Sequence, residues 1–299
     1  MALYAFDGTG NQDEDDATRD SNVVDFFSAY VDQNKNADPD EEFGSLYIKG
    51  IGRLAKTLLG MGVAEAFGIG GHRRVEQAMA RLKKNLKRGD DAVDVVGFSR
   101  GAAIALSFAN VLASDLPGQS VRFMGLFDVV GQFGLPGRHV QAGHILTLPP
   151  NVKVCRHAMA LDESRAAFPL TRLCDDNGKP ADSLVEVWFR GVHSDIGGGN
   201  GNRGLNWISL HWMFMNARRA GLPIEQAVID SNLADRALAQ QISDHKVDLE
   251  QRRTFFPSDC LHSTVMLVDG IPGRPHNNPA TTLRRMNDDG AFVESEANA

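Results

Sequence analysis

Apolar residues in this chain form two patterns, short unbroken runs and stripes at helical spacing. Residues 3–6 are a short apolar run that stops at Asp7, with turn chemistry behind it in Gly8-Thr9-Gly10-Asn11, and are read as a strand. After Asn22, apolar side chains fall at 23, 26, 27, 30 and 31, which is one face of a helix with Asn22 as its N-cap. Val75, Ala78, Met79, Leu82 and Leu86 mark the apolar face of a second helix over 73–87, stopped by Gly89. Residues 92–98 read as a buried strand, and 100–113 are apolar almost all round, which predicts a buried helix. Further strands are expected at 46–48, 121–127, 152–155, 184–189 and 264–268, and further helices at 207–220 and 223–242.

Strands alternating with helices predict an α/β fold: a mostly parallel, doubly wound sheet with helices on both faces. No internal repeat or low-complexity linker divides the chain, so residues 1–299 are read as a single domain. Two segments break the alternation. Residues 50–71 are apolar, glycine-rich and sparsely charged, and are read as a lid or pocket insertion; the tail after about 270, rich in Pro, Asn and Gly, is read as loose.

Composition narrows the function classes. A net charge of −7 with no basic block excludes a general nucleic-acid binder. Three widely spaced cysteines build neither a disulfide framework nor a cysteine zinc site, which fits a reducing compartment. No basic leader opens the sequence and no apolar run reaches membrane-span length, so the expectation is a protein of the cytoplasm that leaves its cell, if it does, without a signal peptide.

Candidate chemistry centres on Gly97-Phe98-Ser99-Arg100-Gly101. The pattern G-x-S-x-G is weak alone; here an apolar run precedes it and an alanine-rich helical segment follows it. A sharp strand-to-helix turn exposes the serine hydroxyl, and its backbone geometry requires small residues two positions away on either side. Four apolar runs end in a reactive or turn-forming residue: Asp7, Ser99, Asp128 and His193. Read as parallel strands, they bring all four to one edge of the sheet, where ligands of such folds bind. Ser99 is then the nucleophile, His193 the general base and Asp128 the acid that orients it, with no cofactor. A rival arrangement uses Asp195 and His262, but His262 precedes the apolar run 264–268 and would lie on the opposite edge. The oxyanion is expected to meet the backbone N–H of Arg100 and a second N–H from Gly8 or Thr9. Two further readings are a metal-assisted hydrolase on Asp7, His193 and Asp195, and a non-catalytic binding module on the same fold. No metal-ligand motif supports the first, so no metal is expected.

Phe6-Asp7-Gly8-Thr9-Gly10-Asn11, Ser21-Asn22-Val23, G-F-S-R-G-A, L-F-D-V-V-G, A-L-D-E-S-R and W-F-R-G-V-H-S-D-I-G-G-G occur in that order. As a set they resemble the α/β-hydrolase family that includes type VI secretion phospholipase effectors of the first lipase-effector group, from about Leu3 to about Gly221. The resemblance implies a serine esterase cleaving phospholipid acyl esters, with Ser99, Asp128 and His193 in the roles above. It also implies a lipid or small ester substrate, transient membrane contact, a secretion-apparatus or immunity partner, and export by a contact-dependent system. Gly8-Thr9-Gly10-Asn11 departs from the more usual G-T-W-N, so an aromatic near the mouth of the site is absent.

Overall fold

The unbroken apolar runs become strands buried on both faces, which is why they show no alternation. A computed structural model describes residues 1–11, 19–32, 43–51, 63–131, 145–235, 241–244, 250–266, 277 and 283–293. The strands are β1 (Ala2–Phe6), β2 (Leu46–Ile48), β3 (Val93–Phe98), β4 (Val121–Phe127), β5 (Cys155–Ala160), β6 (Leu184–Phe189), β7 (Cys260–His262), β8 (Arg284–Met286) and β9 (Phe292–Val293). They form one sheet in the order β2-β1-β3-β4-β5-β6-β7-β8-β9. Each pairing is parallel except β8 with β9. The fold is therefore a mostly parallel α/β sheet, as the alternation implies.

Six helices are described: α1 (Asn22–Ala29), α2 (Val63–Lys87), α3 (Ser99–Asp115), α4 (His193–Gly197), α5 (Arg203–Arg219) and α6 (Gln226–Asp235). The pleat sends Tyr4 and Phe6 of β1 to one face of the sheet, where they pack with Val75 and Leu82 of α2 and Ala103 and Phe108 of α3. Leu3 and Ala5 point to the other face, with Phe26 of α1 and Trp212 and Phe214 of α5. Alanines at 102, 103, 105 and 109 are fully buried and let α3 lie close on the sheet. Among the described residues no helix is long and apolar enough to cross a membrane.

Chain order reverses at β1, which lies between β2 and β3. The carboxyl ends of β1 and β3 therefore border the crevice where open α/β sheets bind ligands. Register sharpens the placement. Phe98 pairs with Phe127, so the next residues of the two strands, Ser99 and Asp128, emerge side by side.

Several elements differ from the sequence reading. The fifth strand is not 152–155 but Cys155–Ala160. Its polar members hid it: Arg156 donates to Asn216 Oδ1, and His157 Nδ1 lies 2.9 Å from Glu186 Oε1, so both are satisfied inside the fold. Of the late strand expected at 264–268, 264–266 belong to a turn of 3₁₀ helix and 267–268 lie outside the described residues; the strand that pairs with the sheet is Cys260–His262. The cap of α1 is Ser21, whose hydroxyl accepts from Val24 N, not Asn22. The Asn22 amide instead donates to Ile196 O, Asn206 O and Ser209 Oγ, tying α1 to α4 and α5. Of the helix expected over 223–242, Gln226–Asp235 is helical and 236–240 lie outside the described residues. Of the expected lid, 52–62 lie outside the described residues, and Val63 onward belongs to α2. The tail read as loose carries β8 and β9; Leu261 pairs with Arg285 and His262 with Met286. Arg284 and Arg285 leave β8 without an apolar run; it adds to the edge at β7, and the two-residue β9 pairs with β8.

Candidate active site

The turn from β3 into α3 sets Ser99 in a left-handed conformation with φ 58°, which costs free energy for any residue but glycine. Asp128, after β4, has φ 43°, and these two are the only non-glycine residues with positive φ among the described residues. Strain is thus concentrated on two of the side chains that the strand ends singled out.

Both flanking glycines are sterically required. A Cβ on Gly101 would stand 2.3 Å from Phe6 O and 2.4 Å from Asp7 O, and one on Gly97 would stand 2.7 Å from Ala102 Cα. The neighbours are mostly backbone of β1 and α3 and cannot yield. Gly101→Ala is therefore expected to destabilise the protein by on the order of 3 kcal/mol or more and to displace Ser99. Chemical denaturation gives the stability loss; a variant as stable and as active as the parent contradicts this account of the turn.

Ser99 Oγ lies 2.8 Å from His193 Nε2, and His193 Nδ1 lies 2.6 Å from Asp128 Oδ2. All three side chains are buried. His193 opens α4 immediately after Gly191, whose φ is 127° and where a Cβ would strike Asp195 Cβ at 2.7 Å. Its ring is held between Phe98 and Phe168, with centroids 4.7 and 4.8 Å away. Its backbone N–H donates to Glu163 Oε2. Asp162 Oδ2 accepts from Gly191 N, and Asp162 Oδ1 accepts from Arg190. The A-L-D-E-S-R segment, which the sequence suggests for no more than turn capping or an ion pair, holds the Glu163–Arg165 pair and fastens the loop that carries His193.

Asp128 collects four donors. Oδ2 accepts from His193 and from Arg253 Nη2, while Oδ1 accepts from Ala160 N and from Arg253 Nη1. Burial opposes ionisation of this carboxyl, but the Arg253 guanidinium and the His193 bond outweigh it and hold it well below the usual carboxylate range. Arg253 is buried and was not singled out by sequence. It lies 125 positions from Asp128 within an ordinary charged stretch, and no spacing rule connects the two.

The remaining candidates divide. Asp7 sits at the end of β1, but its carboxylate accepts from Gly8 N, Ser21 Oγ and Tyr47 OH. Burial pushes its pKa up to about 6. It ties β1, β2 and the start of α1 together. Gly8 N–H is spent on Asp7 Oδ1 at 2.7 Å, so the structure directs it away from the oxyanion role expected of it. The Thr9 hydroxyl is buried with no hydrogen-bond partner among the described residues. Arg100 lies in the first turn of α3, where backbone amides have no acceptor inside the helix.

Asp195 is not beside His262. Its carboxylate accepts from Val192 N, Asn200 Nδ2, Asn202 Nδ2 and Ser243 N, which closes the glycine loop after α4. His262 ends a parallel strand at the carboxyl edge, so the expectation that it lies on the opposite edge is incorrect. What separates it from Ser99 is its setting. It stacks on Phe189 with centroids 4.6 Å apart, its Nδ1 is 2.8 Å from Thr264 Oγ1, and its Nε2 is 3.3 Å from Asp288 Oδ1. Asp7, His193 and Asp195 do not converge either, and no group of three His, Cys, Asp or Glu side chains among the described residues is arranged to hold a metal ion.

Known proteins share this arrangement of sequence. The family model described as "T6SS, Phospholipase effector Tle1-like, catalytic domain" matches residues 3–115 and 113–216. A solved structure titled as an uncharacterized protein from Pseudomonas aeruginosa is similar with a TM-score of 0.55 and 23% sequence identity, over 80% of this chain. The chain spans 49% of that protein's length. No curated protein matches.

Proposed function

This chain belongs to the family of Tle1-like phospholipase effectors of type VI secretion, matched in their catalytic domain, and on that premise we propose that it is a serine esterase cleaving acyl esters of phospholipids. The observation that carries the reading is the hydrogen-bonded chain from Ser99 through His193 to Asp128, set on a strained turn at the carboxyl edge of the sheet.

The chemistry follows from the atoms present. His193 Nε2 takes the Ser99 hydroxyl proton as Oγ attacks the ester carbonyl carbon. Asp128 keeps the Nδ1 proton on the imidazole, fixes its tautomer and stabilises the imidazolium. The carbonyl oxygen becomes an oxyanion, met by the backbone N–H of Arg100 and of Thr9. The tetrahedral species collapses, His193 returns the proton to the leaving alcohol, and the acyl group stays on Ser99. Water, deprotonated by His193, then attacks the acyl-enzyme, releases the fatty acid and restores Ser99.

A phospholipid substrate implies contact with a membrane surface rather than insertion. We extend the reading to transport by a contact-dependent secretion apparatus and to an immunity protein that protects the producing cell. The direct test is fatty-acid release from dispersed phospholipid beside hydrolysis of a soluble short-chain chromogenic ester. The proposal expects both. Ester cleavage without phospholipid cleavage would retain the serine hydrolase and remove the lipid substrate. Neither activity in folded protein would favour the binding-module reading.

A further inference from the structure

A buried Asp–His pair works only while the carboxylate is held where the imidazole needs it, and the groups around it decide that. His193 faces Ser99 from α3, Asp128 from the end of β4 and the Glu163 carboxylate from the end of β5. Glu163 is neutralised by Arg165, whose Nη2 lies 2.6 Å from Oε2. Asp195, on the helix of His193, is engaged by Asn200 and Asn202. Asp162 beside Gly191 is paired with Arg190 at 2.7 Å. The charge that faces Asp128 from a further segment is Arg253, with Nη1 2.6 Å from Oδ1 and Nη2 2.9 Å from Oδ2.

We propose that Arg253 is a positioning residue of this site: its two-pronged pairing with Asp128 holds the carboxylate in the orientation that His193 needs, so the rate of hydrolysis depends on the fork and not on its charge alone. The inference rests on the triad reading above.

The geometry gives the reason: both terminal nitrogens of the fork meet the two carboxylate oxygens, so Asp128 cannot turn about its side chain without breaking one of these bonds. Arg253 also donates to Ala160 O and Phe168 O, which tie Asp128 to the end of β5 and to the ring that packs on His193. Its Nε is buried with no hydrogen-bond partner among the described residues. A guanidinium is left partly unsatisfied in order to stand where it does.

The experiment is steady-state kinetics on a soluble chromogenic ester for the parent, Arg253→Gln, Arg253→Lys and Ser99→Ala, with thermal melts of each. Arg253→Gln, which loses the charge and the two-pronged donor, is expected to lower kcat about a hundredfold while KM holds. Arg253→Lys keeps the charge but not the fork; kcat is expected to fall about tenfold with KM again unchanged. A merely structural arginine would lower the melting temperature and leave kcat of the folded protein at the parent's value. That result in folded Arg253→Gln, with Ser99→Ala inactive, overturns the inference and spares the triad. Activity surviving in Ser99→Ala overturns both. Should Arg253→Gln not fold, Arg253→Lys decides alone: an unchanged kcat overturns the proposal.

Discussion

Replacing Ser99 with alanine is expected to lower kcat by roughly three to six orders of magnitude, with the fold intact. The hydroxyl is the only group lost, and it meets His193 Nε2 at 2.8 Å. Alanine keeps the left-handed backbone at that position strained, as serine does, so melting temperature should move little. His193→Ala should cost about as much, because a serine without its base is a poor nucleophile and the two act as one unit. His262→Ala is the control. That side chain stacks on Phe189 and meets Thr264, so its loss should reduce stability while leaving most of the catalytic rate. Steady-state kinetics on a soluble ester with the three variants side by side test this. If His262→Ala were the inactive variant and His193→Ala the active one, the base would have to be reassigned.

Asp128→Asn should lower kcat by about four orders of magnitude and also cost stability. The kinetic loss has a tautomeric cause: an amide at 2.6 Å from Nδ1 can present its NH₂ to the imidazole and leave the proton on the nitrogen that should accept from Ser99. The stability loss has a different cause. Arg253 forks onto this carboxylate in a buried setting, and an asparagine leaves the guanidinium with no counter-charge. Breaking a buried pair from one side costs about 3–5 kcal/mol. The double variant Asp128→Asn with Arg253→Gln should recover part of that stability and none of the activity. Denaturant melts of the three proteins separate the two effects. Equal stability of Asp128→Asn and the parent would show that Asp128 is not ionised against Arg253.

The central sheet was legible because its strands are unbroken apolar runs with reactive residues at their ends. Residues 46–48, 121–127 and 184–189 coincide with β2, β4 and β6, and the mostly parallel character is legible from the helices that separate β1, β2, β3 and β4. The strands that escaped are those whose polar side chains are satisfied in place. Arg156 and His157 broke the apolar run of β5, and Arg284 and Arg285 disguised β8. Hydrophobic pattern reports what is withdrawn from water, and it misses polar groups whose partners arrive from other elements.

The site divides along the same line. Ser99, Asp128 and His193 could be singled out because local signals mark them: a glycine-flanked serine between strand and helix, and strand ends capped by Asp and His. Parallel direction alone then brings strand ends together, since every carboxyl end faces the same edge. Which carboxylate meets which histidine is not a local matter. The bond of Asp195 to Ser243, the burial of His262 against Phe189 and the fork of Arg253 on Asp128 all join segments far apart in the chain. Sequence by itself determined the fold class, the strained turn and the candidates for its chemistry, because these rest on periodicity and on steric rules within a few residues. Tertiary structure alone decided the partners, because hydrogen bonds and buried charge pairs are set by distances of a few ångströms that no spacing along the chain encodes.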